Sequence, residues 1–289
     1  MKELLYGVLK IVGRQDWLRV GLRQKLLRLF VNPDKPPSYE FTADFFGLKF
    51  KGNLNCYLDW CVFFFGAYEK RELLLLESVM KQKKGGVFLD IGANSGEYSL
   101  LLSRHASKVV AFEPYDRIAE KLRGEISLNG IKNIEVREAA LGNAEKEMEF
   151  YAPLESSNTG TASLVREHEA AGNRPYKKIK VYNASEYIEG LGLPGVDVIK
   201  IDVEGFEKDV LTGLQRVIEK YRPVILMEFS ETTRDSFGDI ADFFSLLKGY
   251  EISEISCGRP VAFFFNSPSV RLEKFELKDA PCNLLLKPV

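Results

Sequence analysis

The run Val87-Phe88-Leu89-Asp90-Ile91-Gly92-Ala93-Asn94-Ser95-Gly96 decides the fold, because an apolar strand passes directly into a turn carrying two glycines and then into a helical pattern. A turn of this kind lets backbone approach a nucleotide-like ligand where a Cβ would collide. The spacing is not that of a dinucleotide fingerprint, G-x-G-x-x-G, since the glycines are Gly92 and Gly96 and position 94 is Asn94. Asp90 precedes the turn, where it would repel a pyrophosphate but could face an ammonium group.

Further along, Val109-Val110-Ala111-Phe112-Glu113-Pro114 is a second short apolar run ending in an acid. A carboxylate at the tip of a second strand can accept hydrogen bonds from both hydroxyls of a ribose. The two runs together point to a ribose-bearing ligand that is cationic at its other end, which describes S-adenosylmethionine. The plainer reading is the bare strand-turn-helix of any doubly wound domain, and the placement of Glu113 weighs against it.

From residue 86 onward, short β-branched or aromatic runs alternate with helical segments, so the expected fold is α/β with a doubly wound, mostly parallel, seven-stranded sheet. Strands are expected near 87–92, 108–113, 134–141, 196–203, 223–229 and 250–256, and near 262–266 or 283–288. Helices are expected at 96–105, 116–129, 206–220 and 236–248. Ligands of such sheets bind beyond the carboxyl ends of the strands. Asp90, Glu113, Asp202 and Glu228 all fall at those ends.

Residues 142–182 interrupt the alternation with an apparent strand at 147–151, a polar loop from Leu154 to Lys177, and a strand at 178–182. A connection of that length suits a substrate-facing lid. Residues 1–84 differ in kind from the α/β remainder, 85–289, and read as an N-terminal cap: a helical arm, a hairpin around Gly47, and a helical stretch over 60–80.

The chain has 289 residues and a formal net charge of −1, so no global field draws it to nucleic acid. Residues 1–30 are the local exception, with seven basic residues against Glu3 and Asp16, interleaved with apolar residues at near-helical spacing. This basic amphipathic segment suits packing on its own domain, a homodimer contact, or peripheral membrane contact. It is not a signal peptide, and no run is long and clean enough to span a bilayer. Cys56, Cys61, Cys257 and Cys282 form no C-x-x-C pair, and the expected compartment is the cytoplasm, with membrane-peripheral association left open.

The third informative run is Val196-Asp197-Val198-Ile199-Lys200-Ile201-Asp202-Val203-Glu204-Gly205-Phe206-Glu207. Period-two alternation puts Lys200 and Asp202 on one face of a strand, and Val224-Ile225-Leu226-Met227-Glu228 brings another acid to the end of its neighbour. Several carboxylates at one sheet edge need a cation, either Lys200, a metal or a sulfonium.

With these runs, the chain resembles the FkbM-type S-adenosylmethionine-dependent methyltransferases. The resemblance rests on Gly66-Ala67-Tyr68-Glu69, Phe88 to Ser99, Ala111-Phe112-Glu113-Pro114, Asn158 to Leu164, Ile199 to Glu207 and Pro223 to Glu228, in the family's order. It implies a class I, Rossmann-like fold and O-methyl transfer to a hydroxyl of a sugar, polysaccharide or secondary metabolite, a small-molecule or glycan acceptor. It also implies cofactor binding by Asp90, Gly92, Ala93, Asn94, Ser95 and Glu113, with Asp202 closing the pocket. The chain departs from the pattern after Val181, where it reads Tyr182-Asn183-Ala184-Ser185-Glu186-Tyr187, so acceptor choice transfers least.

An alcohol is a poor nucleophile until a base takes its proton. Glu204 and Glu228 are the leading candidates for the base, with Lys200 as an orienting cation and His168, in the insertion, as a further candidate. His105 reads as structural. A divalent ion such as magnesium bridging Asp202 and Glu204 is the alternative. Glu204 and Glu207 also suit the dipole of a helix N-terminus. Three rivals remain: amine methylation, which lacks the expected proline-rich turn after the fourth strand; a dehydrogenase, disfavoured by the glycine spacing; and a degenerate fold serving as a scaffold.

Overall fold

The computed structural model describes residues 2–33, 35, 37–153, 162–165, 173–257, 270–276 and 281–289. Among the described residues the chain divides into two compact units, the first comprising residues 2–71 with Ser256, Cys257, Val270 and Arg271, and the second the rest.

In the first unit, α1 (Lys2–Gly13) and α2 (Val20–Arg28) replace the single helical arm expected over residues 1–30. The buried Arg23 fixes the corner between them, since its Nη1 donates to the Gly13 carbonyl (2.6 Å) and to Asp16 (3.2 Å). The hairpin is β1 (Glu40–Phe45) and β2 (Leu48–Asn53), paired Phe45 to Leu48. Phe46 and Gly47 both take positive φ, 52° and 84°, as a two-residue hairpin turn requires. Alternate residues of β1 (Phe41, Ala43 and Phe45) are buried, and α3 (Tyr57–Phe65) supplies Trp60, Phe63 and Phe64 to an aromatic core that also takes Tyr6 from α1. The helical stretch expected over 60–80 is two helices, α3 and α4 (Lys70–Gln82), because Gly66 ends the first with φ +92°.

Among the described residues, the second unit is built on a mixed sheet of eight strands. β3 (Val87–Ile91), β4 (Lys108–Phe112), β5 (Ile134–Arg137), β9 (Val198–Ile201) and β10 (Val224–Phe229) run parallel in the order β5-β4-β3-β9-β10. β13 (Cys282–Pro288) adds to β10 antiparallel and is followed by β11 (Tyr250–Cys257) and the edge strand β12 (Val270–Lys274). The fold is therefore the expected doubly wound, mostly parallel α/β sheet, with β12 as an eighth strand; its exposed, charged sequence carries no buried-strand signal. The chain winds outward from β3 through β4 to β5, then resumes at β9 on the other side of β3, so the strand order switches between β3 and β9. Both strands are wholly buried; α5 (Glu97–Leu102) follows β3, and α6 (Asp116–Leu128) follows β4.

Three expected elements are divided. The strand over 134–141 is β5 plus β6 (Ala140–Gly142), which pairs with the insertion strands β8 (Asn173–Asn183) and β7 (Lys146–Pro153) in a separate three-stranded sheet. The helix over 206–220 is α8 (Glu207–Gly213) and α9 (Gln215–Tyr221); a Cβ on Gly213 would lie 2.0 Å from the Gly142 carbonyl, so α8 closes on β6 at a glycine. The helix over 236–248 is α10 (Glu231–Phe237) and α11 (Ile240–Leu246), separated by Gly238 at φ +67° and restarted by Asp239, which caps Ala241 N–H. α7 (Ala184–Gly190), capped by Asn183 Oδ1 on Glu186 N–H, forms in the segment that departs from the family pattern. Among the described residues no helix is long and apolar enough to cross a membrane.

Candidate functional site

The carboxyl ends of β3, β4, β9 and β10 carry the site, all within the second unit. In register, Asp90 pairs with Lys200 and Ala111, and Met227 pairs with Ile201. Asp90 and Lys200 therefore share a face, and one step further Asp202 and Glu228 are level with each other on adjacent strands.

Gly92 and Gly96 are both left-handed, at φ +78° and +88°. Their need for glycine arises inside the protein. A Cβ on Gly92 would lie 1.8 Å from the Asp202 carbonyl oxygen, and one on Gly96 would lie 2.1 Å from Leu122 Cδ1 on α6. Within the protein, Gly92 thus stands where the β3 turn meets the β9 turn, and Gly96 where α5 meets α6. Gly92 N–H and Ala93 N–H both donate to the Phe112 carbonyl, which ties the turn to β4. Asn94 takes φ +48°, a region that Asn tolerates, and its side chain accepts from Ser95 N–H at 2.7 Å.

Glu113 is buried and held at both oxygens by backbone: Asn94 N–H donates to Oε2 and Tyr115 N–H to Oε1, each at 2.8 Å. Burial pushes its carboxyl up to about 7, against the pull of the two N–H groups and Lys200. Each carboxylate oxygen has two lone pairs, so acceptor capacity remains.

Lys200 is the cation among these acids. Its Nζ donates to the Gly92 carbonyl (2.8 Å), pairs with Asp202 (3.0 Å), lies 3.9 Å from Asp90 Oδ1, and sits over the Tyr98 ring. Asp90 is wholly buried; Ser99 Oγ donates to its Oδ2 at 2.6 Å, while Oδ1 has no hydrogen-bond partner among the described residues. Burial drives the Asp90 carboxyl upward, opposed by Lys200 and Ser99.

The turn after β9 is clamped from three elements. Glu207 Oε1 accepts from Val203 N–H (3.0 Å) and Gly205 N–H (3.2 Å), and its Oε2 accepts from Thr233 Oγ1 (2.6 Å) on α10. Glu207 is wholly buried, and burial raises its carboxyl. It therefore serves as a staple for the turn besides standing at the start of α8. Ser163 Oγ donates to the Glu204 carbonyl at 2.6 Å, and Glu204 itself takes φ +52°. His105 bonds Glu77 on α4 through Nε2 at 3.0 Å, away from these strand ends. His168 lies outside the described residues.

For the metal expected at Asp202 and Glu204, no group of three or more His, Cys, Asp or Glu residues that could hold an ion occurs among the described residues. Asp202 is instead paired with Lys200. Sequence reasoning did not single out Ser99, Ser163 or Thr233. The hydroxyl partners of Ser99, Ser163 and Thr233 lie 9, 41 and 26 residues away in the chain, so no local pattern marked them.

Compared with known proteins, the chain matches the methyltransferase FkbM domain over residues 90–252. It is 29% identical over 206 residues to the AMB antimetabolite synthetase AmbE of Pseudomonas aeruginosa, covering 58% of this chain but only 10% of that protein. It is 26% identical to Methyltransferase 1 of Beauveria bassiana over 183 residues (57% of this chain, 72% of the relative). It is 27% identical to the hexuronic acid methyltransferase AglP of Haloferax volcanii over 157 residues (53% of this chain, 59% of the relative). With more than half of its residues matched, the chain belongs to the methyltransferase FkbM domain family.

Proposed function

We propose that this chain is an S-adenosylmethionine-dependent O-methyltransferase acting on a hydroxyl of a sugar, polysaccharide or other small metabolite. Family membership supports methyl transfer, and the observation that carries the cofactor is Glu113, a buried carboxylate presented at the tip of β4 with its orientation fixed by two backbone N–H groups. The residues fit the group. Glu113 has lone pairs left for the two ribose hydroxyls, Asp90 Oδ1 is a buried acceptor without a donor, and Gly92, Ala93, Asn94 and Ser95 form the turn between them. When bound, S-adenosylmethionine supplies an electrophilic methyl group on a sulfonium.

The chain's own contribution is placement and proton removal. Lys200 holds Asp202 beside the Gly92 carbonyl, fixing the β3 and β9 turns against each other. Alignment of the acceptor oxygen in line with the methyl group accounts for most of the acceleration expected from such a site. Glu228, level with Asp202, and Glu204, on the clamped turn, are the candidates to take the hydroxyl proton.

The acceptor is approached through AglP, named as a hexuronic acid methyltransferase, which makes acidic sugars the first class to screen. The test is calorimetric titration with S-adenosylmethionine and with its demethylated product, using Glu113→Ala as control, followed by an acceptor screen. Micromolar binding lost in the variant supports the reading. Absence of binding to both ligands overturns it and leaves a scaffold.

A further inference from the structure

Helix α1 has two apolar faces, and the first unit uses only one. Tyr6, Leu9 and Gly13 are buried, with the Tyr6 ring edge-on to Tyr39, Phe63 and Phe64. Leu4, Val8 and Ile11 recur at i, i+4 and i+7 on the side roughly 160° away, and Leu4 and Ile11 are 76% and 65% exposed. Beyond α1 the exposed series continues at Trp17 and, past α2, at Leu29 (78%) and Phe30 (60%). A helix of a water-soluble unit ordinarily turns a polar face outward; here the outward face is apolar.

Charge identifies the occupant. Residues 1–30 carry net +5, with Lys2, Arg19, Lys25 and Arg28 exposed, whereas residues 31–289 carry net −6. A second copy of the chain docked through the same face would bring two +5 segments together, because a two-fold interface is self-complementary. An anionic lipid surface attracts that segment and accepts its apolar side chains.

We propose that residues 2–30 form a peripheral docking surface for an anionic phospholipid bilayer, with Leu4, Val8 and Ile11 entering the interface and the surrounding lysines and arginines facing the headgroups. This rests on the first unit alone and does not depend on the activity of the second.

The test is flotation of the full chain with vesicles of phosphatidylcholine alone and of phosphatidylcholine mixed with phosphatidylglycerol, at low and at physiological salt, with molecular mass in solution measured alongside. The expected result is binding to the phosphatidylglycerol vesicles that weakens with salt and falls about tenfold or more in Leu4→Glu/Ile11→Glu and in Lys25→Glu/Arg28→Glu, with cooperative thermal unfolding retained in both variants. The charge-reversal pair carries the test if the first pair fails to fold. Three results overturn the proposal: no binding to either vesicle, equal binding to both, or a dimer that Leu4→Glu/Ile11→Glu converts to monomer, which would show that a second copy covers the face.

Discussion

Ser163 and Glu204 are joined across 41 residues by a 2.6 Å hydrogen bond from the serine hydroxyl to the glutamate carbonyl. Ser163 Oγ also accepts from Val165 N–H, and its backbone pairs with Tyr151 on β7. The insertion is thereby fastened to the turn that follows β9, at a residue whose φ of +52° needs outside support. Ser163→Ala removes that support. We expect stability to fall by about 1 kcal/mol, the net worth of a typical hydrogen bond, since this one is only part-buried. We expect turnover to fall about tenfold with cofactor affinity nearly unchanged, since none of the turn residues 92–95 is touched. Thermal unfolding and a kcat measurement beside a cofactor titration check this; full retention of turnover would show that the fastening does not position the site.

Two glycines make a matched pair of opposite sign. Gly92→Ala would force a Cβ to within 1.8 Å of the Asp202 carbonyl in a left-handed conformation, and we expect a loss of several kcal/mol, about 3 or more, together with cofactor binding. Gly124 lies exposed inside α6 with nothing within 4 Å of its added Cβ, so Gly124→Ala should stabilise by about 0.5–1 kcal/mol. Denaturant unfolding of the two variants reads both effects.

How much of this was legible follows from where each signal lies along the chain. β3, β4, β9 and β10 are short, wholly or nearly wholly buried runs ending in acids, so their type, order and carboxyl ends could be read locally. The α8–α9 break could not, because Gly213 is needed against Gly142, a contact made only once β6 has left the main sheet. The constraint on Gly92 from the Asp202 carbonyl could not be read locally, since that partner lies 110 residues later. The Lys200 pairing was readable from period-two alternation and strand ends, whereas the Glu207–Thr233 and Ser163–Glu204 bonds join segments with no shared pattern.

Lys200 and Asp90 are both buried, and Lys200 also serves the Gly92 carbonyl and Asp202. Lys200→Met leaves Asp90 as a buried acid without a cation, which should cost about 3–5 kcal/mol. Adding Asp90→Asn removes the charge that Lys200 compensated. The double variant should therefore be more stable than Lys200→Met alone, with a coupling of about 0.5–3 kcal/mol in the cycle. Additive losses would show that the lysine stabilises the site through the Gly92 carbonyl and Asp202 alone.

Glu113 titrates at about 7 in the folded protein against an ordinary 4.5, because burial disfavours its charge. A raised carboxyl binds its proton more tightly folded than unfolded, so its contribution to stability is complete below pH 4.5 and is lost as pH rises through about 7. Ligand binding runs the other way, since the ionised group is the stronger acceptor for the two ribose hydroxyls. We expect S-adenosylmethionine affinity to tighten as pH rises through about 7 in the wild type, with no such inflection in Glu113→Gln. The stability difference between the two proteins, measured at pH 5 and pH 8, should shift against the wild type at the higher pH. A flat binding profile in both would remove Glu113 from the ribose site.

Glu228 and Glu204 remain to be separated as bases. Glu228 ends β10 level with Asp202, on a strand fixed on both sides by β9 and β13, whereas Glu204 rides on a turn whose backbone is held by Ser163 and Glu207. Replacing either with glutamine keeps the shape and removes the proton acceptor. If Glu228 is the base, Glu228→Gln should lower kcat about 10²–10⁴-fold and abolish the acidic limb of the pH–rate profile, while the cofactor Kd changes by less than about twofold, because binding and chemistry draw on different groups. Glu204→Gln should then cost far less. The reverse order assigns the proton to Glu204. Equal loss of kcat and cofactor affinity in Glu228→Gln would mean that this residue shapes the pocket and takes no proton.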